Sequence, residues 1–245
     1  MMGLFLVMGV IIFAVILFKK WRTIEHKKRV NAYEEIKKAM KRNEYDAIDQ
    51  FDRTLLMQAI KNDFSEIIDV LLKKTVELER SDQKDETALF YAVRYKNIEC
   101  LEKLISKGVR VNHINADGVT ALWYAAQKSD SRYAKILTDA GISLDDQDQT
   151  FLLSPIMVSI KNRHLDTMKV LYEAGADLTL KSKEGDIKSL LKHYVIPNLK
   201  GNSRKAHVLH EVIRQMEAKI NNEVFTEMSY ETFEKMNAEK KNRLD

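Results

Sequence analysis

One cysteine, Cys100, stands among 245 residues. That excludes an internal disulfide framework and fits a reducing compartment. Cys100 lies in an apolar helical pattern with Ile98, Leu101 and Leu104. No sequence neighbour would lower its thiol pKa, so it reads as a small buried hydrophobe. Two prolines and eight glycines are too few for an all-β chain with many turns. The chain also lacks a glycine-rich phosphate loop, a nucleophile elbow and a recognisable cysteine–histidine pairing. Its six histidines are scattered. His207 and His210, three apart, could share a metal, but "HVLHE" is not the zincin order and offers no third ligand. "DDQDQ" at 145–149 lacks the glycine of a calcium loop, and Met157 stands where the bidentate glutamate belongs. No catalytic residue, metal or cofactor is expected, and the chain does not read as an enzyme.

What is present is unevenly distributed. The net charge is +4, yet residues 19–42 alone hold ten Lys/Arg against three Asp/Glu, so the remainder sums to −3. The basic character belongs to one segment, and a nucleic-acid-binding face is not expected.

That segment follows "MMGLFLVMGVIIFAVILF", which has no polar side chain. As a helix it spans about 27 Å at ~1.5 Å per residue, against a hydrocarbon core about 30 Å thick. Lys19, Lys20 and Arg22 follow at once with Trp21 among them, the residues that a membrane boundary favours. A cleaved signal peptide would need a charged start and a small-residue cleavage site, and neither is there. A buried core helix would hardly lack every polar residue. Residues 1–18 are therefore expected to be a single transmembrane anchor. The positive charges after it place the N-terminus outside and the rest in the cytoplasm. The Lys-, Asn- and Ile-rich composition points to a bacterial inner membrane.

Beyond the basic segment the chain repeats itself. "TLLMQAIKN", "TALFYAVRY", "TALWYAAQK" and "SPIMVSIKN" begin at Thr54, Thr87, Thr120 and Ser154, at spacings of 33, 33 and 34. Thr75, Gly108, Gly141 and Gly175 follow the same spacings, each ending a second apolar helix. Two independent marks with one period define a repeat array. The Thr or Ser is expected to cap the first helix, and the glycine to supply a left-handed residue after the second. Leu56, Leu89, Leu122 and Ile156, with Ala59, Ala92, Ala125 and Ser159, share one helical face.

The pattern resembles the ankyrin repeat, with its period of 33 and its T-P-L-H-x-A signature. It departs from the family at the histidine position, which holds Met57, Phe90, Trp123 and Met157, and keeps proline only at Pro155. Asp85 stands where Gly118 keeps the turn glycine. The resemblance implies an all-α solenoid of helix-turn-helix units behind the N-terminal transmembrane helix. Residues 19–44 would form a basic juxtamembrane helix and N-terminal cap, with a first helix near 31–42 and a short second one. Repeats would occupy 45–195 (about 52–84, 85–117, 118–151, 152–184 and a partial 185–195). Residues 196–245 would form a divergent cap, with a helix over 203–220 and a charged tail helix near 229–242.

The resemblance also implies a partner protein bound on the concave face and turn tips. The exposed positions would be Lys61, Asn62, Arg94, Tyr95, Gln127, Lys128, Lys161 and Asn162 on the first helices; Tyr91 and Tyr124, one turn earlier, would either pack in the core, where the family usually places an apolar residue, or contact the partner. The tips would offer Gln83, Lys84, Asn115, Ala116, Gln147 and Gln149. Tyr and Arg are favoured interface anchors, which singles out Arg94 and Tyr95. The function expected is membrane-tethered, non-catalytic recognition of a protein. The alternatives are an inhibitor or immunity protein that blocks a toxin or enzyme, and an assembly protein oligomerising through its C-terminal helices.

Overall fold

The structure is a computed structural model describing the backbone of residues 2–74, 77–196 and 204–221, and their side chains except 2–16 and 204–210. It divides into two compact units, 1–83 and 84–245. Both are mostly helical.

In the first unit, α1 (Met2–Lys41) is one unbroken helix of 40 residues, about 60 Å long at ~1.5 Å per residue. It ends at Asn43, whose φ is +58°. Among the described residues no helix is long and apolar enough to cross a membrane; the side chains of the apolar run at 1–16 lie outside those residues. Leu17, Phe18 and Trp21 are exposed, with Phe18 and Trp21 stacked at 6.1 Å. Ile36 is fully buried where α1 packs on α2 (Leu55–Asn62), which packs in turn on α3 (Ser65–Lys73). The expected short second helix between α1 and α2 is absent. The segment is turns closed by a bridge between Ile48 and Thr54. Asp49 explains this: its Oδ1 accepts from the amides of Phe51 (2.9 Å) and Arg53 (3.1 Å), a local turn that competes with helix.

In the second unit the helices alternate between two rows. The first helices are α4 (Ala88–Arg94), α6 (Ala121–Ala126) and α8 (Pro155–Lys161), and α4–α6 and α6–α8 pack as neighbours. The second helices α5 (Ile98–Ser106), α7 (Arg132–Asp139) and α9 (Leu165–Glu173) each cover their own first helix, and α7 packs on α9. The apolar periodicity accounts for this. Leu89, Phe90, Leu122, Ile156 and Met157 on the first helices, and Leu101, Leu104, Leu137 and Leu171 on the second, are buried. Each fully buried Leu, Ile or Phe contributes about 1.5–3 kcal/mol. Ala92, Ala125 and Ser159 are fully buried, so adjacent first helices approach closely. Cys100 is buried.

Gly108, Gly141 and Gly175 have φ of +75°, +78° and +95°, as the spacing predicted; Thr75 lies outside the described residues. A second left-handed series runs through the turns at Asp52, Asp85, Gly118, Leu152 and Gly185. Only two of these five are glycines, so a glycine-based reading sees less than half of the series. The expected caps need correcting. Thr54 Oγ1 accepts from the Met57 amide at 3.3 Å, but Thr87, Thr120 and Ser154 make no side-chain cap bond.

A two-residue hairpin, β1 (Lys181–Ser182) with β2 (Gly185–Asp186), precedes α10 (Ile187–Leu190), which Asp186 caps through the Ser189 amide at 2.8 Å. A π-helical turn follows over Leu191–Val195. α11 (Arg204–Ile220) packs on α9 with Val212, Ile213 and Met216 buried. The tail helix expected near 229–242 lies outside the described residues.

Candidate functional site

The helix-end positions singled out by the repeat fall into three different situations. Arg94, at the end of α4, is committed internally. Its Nη2 pairs with Oε1 of Glu86, which is 1% exposed, and its guanidinium lies 4.6 Å over the Tyr124 ring. Tyr124 donates its hydroxyl to the same Glu86 oxygen at 3.1 Å, and Asn115 Nδ2 reaches it at 3.4 Å. Burial, then the Glu86 carboxylate, pushes the Tyr124 phenol up to about 12. Sequence reasoning missed Glu86, although a signal was available. The equivalent positions in the next repeats are Val119 and Leu153, both buried and apolar, so a carboxylate at that register needs a partner.

Asn115, expected at the tips, and Tyr91, left between core and surface, are both buried. Tyr91 is 5% exposed, its ring packed 5.6 Å from Tyr95. Asn115 is 4% exposed because its Oδ1 accepts from the amides of Asp117 (3.1 Å) and Val119 (3.2 Å). Asp148 does the same one repeat later, accepting from the amides of Thr150, Phe151 and Leu153. These side chains build the turn, and the tips are offered by their neighbours. Gln83, Lys84, Ala116 and Gln149 are exposed. The tips also connect along the backbone: Ala116 N donates to Lys84 O, and Gln149 N to Asp117 O. Gln83 is tied in the first unit, its side chain donating to Gln50 O at 2.9 Å. Gln147 donates to Lys181 O at 3.0 Å.

The remaining helix-end residues surround two open clefts. In the second unit Gln127 and Lys128 line a cleft of about 550 Å³ with Lys96, Asp130, Arg132 and His164. Lys128 Nζ donates to Arg94 O at 3.1 Å, while burial and the cations Lys96 and Arg94 lower its pKa. His164 is fixed by its Nδ1, 3.1 Å from Ala126 O. Tyr95 and Asn162 are exposed at the ends of α4 and α8. Lys161 is occupied by Glu184. The first unit has its own cleft, about 460 Å³, where Lys61 and Asn62 meet Trp21, Arg22 and Arg29 of α1. There Asn62 donates to Gln58 O at 2.8 Å, and Arg29 lies 5.5 Å over Phe64.

One departure in the sequence has an unexpected use. Trp123, at the signature's histidine position, donates its indole N–H to Leu153 O at 2.9 Å, thirty residues on. The indole ties two repeats together where an imidazole was expected. His113, buried one repeat below, lies 2.8 Å from Asp85 O through Nε2.

Among the described residues no group of three His, Cys, Asp or Glu could hold a metal ion. The His207–His210 pair has side chains outside those described. A family model for ankyrin repeats, in three copies, matches residues 28–115 and 108–182. No curated protein matches the chain. Period, paired helices and matched span agree: the chain belongs to the ankyrin-repeat family, whose repeats serve as protein–protein interaction modules.

Proposed function

We propose that the chain is a membrane-tethered recognition module that binds a protein partner without catalysis. The partner-binding half of the reading is carried by one observation. Tyr95, Gln127 and Asn162 stand exposed at the ends of α4, α6 and α8, and Gln127 lines a cleft with Lys96 and Lys128. An exposed tyrosine beside polar groups is a favoured anchor. Arg94 does not serve there, since Glu86 holds it.

The tether is supported by the apolar run 1–18 followed by Lys19, Lys20, Trp21 and Arg22. Six Lys/Arg within the eleven residues after the run favour the cytoplasmic side for the repeats. The continuous helix α1 would carry the anchor into the repeats without a flexible linker. Restriction to the membrane plane raises the effective concentration of a partner on that surface.

Two measurements test this. Full-length protein in native membranes should resist alkaline carbonate extraction, and replacing Ile11 and Ile12 by Lys should release it. Affinity capture from the same membranes should recover a protein that is lost with Tyr95→Ala, Gln127→Ala and Lys128→Ala together. Extraction of the unaltered protein by carbonate would end the tether. Identical captures by both forms would end the assignment of the surface.

A further inference from the structure

The cleft at the α6–α7 turn has an unbalanced charge inventory. Four of its lining residues are charged at neutral pH: Lys96, Lys128, Asp130 and Arg132. Asp130 and Arg132 neutralise one another, with Arg132 Nε at 3.0 Å and Nη2 at 2.6 Å from the carboxylate. Arg94, whose backbone oxygen holds Lys128, is neutralised by Glu86. Among the described residues, Lys96 and Lys128 are left with no carboxylate partner. Lys128 donates to a backbone carbonyl, and its partial burial beside Lys96 and Arg94 disfavours its charge. A partly buried cation beside other cations is disfavoured unless an anion joins it.

Lys96 is also fixed in place. Its φ is +61°, and its turn is pinned by Lys96 N to Val93 O at 3.2 Å and Asn97 N to Ala92 O at 2.9 Å. The same left-handed residue recurs at the equivalent turns, Asp63 (φ +56°) and Arg163 (φ +58°), so the turn between paired helices sets the Lys96 backbone.

We infer that this cleft receives an acidic segment of a protein partner, with Lys96 and Lys128 taking its carboxylates and Gln127 donating beside them. The inference rests on the partner-binding reading and is independent of the membrane tether. The scale of the charge argues for a peptide. Outside residues 19–42 the chain sums to −3, so the positive potential is local and no field extends along a polyanion. A cleft of about 550 Å³ accommodates a few side chains.

The test uses full-length protein in mild nonionic detergent and two fluorescein-labelled nonapeptides, Gly-Glu-Gly-Glu-Gly-Glu-Gly-Glu-Gly and its all-glutamine counterpart, read by anisotropy. The glutamate peptide should bind saturably and at least tenfold more tightly than the glutamine peptide, and lose affinity as salt rises. Lys96→Gly, which suits the left-handed turn, combined with Lys128→Met should weaken it at least tenfold. Lys128→Arg should retain it, and Lys169→Met on α9 should leave it unchanged. Circular dichroism confirms that each variant is folded. Equal binding of the two peptides, no saturable binding of either, or undiminished binding by the double variant would overturn the inference. The native partner is absent from this assay, so failure here leaves the capture experiment standing as a separate result.

Discussion

Arg94 is the residue that the repeat pattern nominates most strongly for binding and that the fold uses otherwise, and a mutant cycle separates the two roles. Replacing it by Met takes the cation from the Glu86 carboxylate, which is 1% exposed and has Tyr124 and Asn115 as neutral donors. Breaking a buried pair by removing one partner costs about 3–5 kcal/mol. The Arg94 side chain is 29% exposed, so solvent screens part of that, and we expect about 2–3 kcal/mol. Glu86→Leu matches Leu153, the equivalent position two repeats on, and leaves Arg94 able to turn to water, for about 0–1 kcal/mol. The double variant should cost no more than Glu86→Leu alone, giving a coupling of about 2 kcal/mol. At ~2–4 °C per kcal/mol, Arg94→Met lowers Tm by about 4–12 °C. Urea unfolding read by Trp123 fluorescence, in a Trp21→Phe background, reports on the second unit, because Trp123 packs 5.5 Å from Tyr124. If Arg94→Met lies within about 0.5 kcal/mol of the parent, or Glu86→Leu costs more than Arg94→Met, the structural assignment fails and Arg94 returns to the binding surface.

Three further outcomes follow from the same geometry. Tyr124 has a folded pKa of about 12, above the unfolded value near ~10; its contribution to stability is whole below pH ~10 and is lost as pH rises through 12. Absorbance titration at 295 nm should show a late-titrating phenol that Tyr124→Phe removes, together with part of the alkaline loss of stability, while Tyr133 and Tyr172, also raised by burial, remain. Thr54→Val should destabilise by about 1 kcal/mol, because it deletes the cap bond to Met57. Thr120→Val should be neutral or stabilise by up to about 1 kcal/mol, because its hydroxyl is buried without a partner; a destabilisation of both in urea unfolding would refute the distinction. Leu152 is exposed at φ +56°, so Leu152→Asn should stabilise by about 0.5–1 kcal/mol, since asparagine tolerates that backbone. A lower midpoint would show that its side chain does more than the turn requires.

Much of the fold was legible because its causes are local or periodic. An apolar stripe at helical spacing buries one face whatever the partner, so the first and second helices could be read from Leu56 to Leu171. Gly108, Gly141 and Gly175 announce a left-handed residue because an L side chain strains there. The second left-handed series was hidden. Asp52, Asp85 and Leu152 are left-handed at φ of +59°, +56° and +56°, beside +80° at Gly118; register places Asp85 at the turn-glycine position, but no glycine marks the three. The missing helix before α2 was hidden too, because Asp49 spends its carboxylate on the turn.

The candidate surface was legible in outline and wrong in detail. Helix-end positions could be counted by register: Gln127 and Lys128 line the cleft, and Tyr95 and Asn162 are exposed. Register says nothing about which charge already has a counter-charge. Arg94 meets Glu86 eight residues away, Lys161 meets Glu184 twenty-three residues away, and Tyr91 and Asn115 point into packing and turn. Lys96 and His164 were not nominated, because only folding brings residues 96, 128 and 164 to one cleft.

By itself, then, the order of residues determined the repeat, its period, the two helices within each unit and the apolar faces they bury, since each depends on interactions within a few turns of chain. Only the tertiary structure decided which polar side chains are spent inside. Pairing of charges is a matter of distances of a few ångströms between residues many positions apart, and a fraction of a helical turn separates a lysine that is neutralised from one that waits in an open cleft.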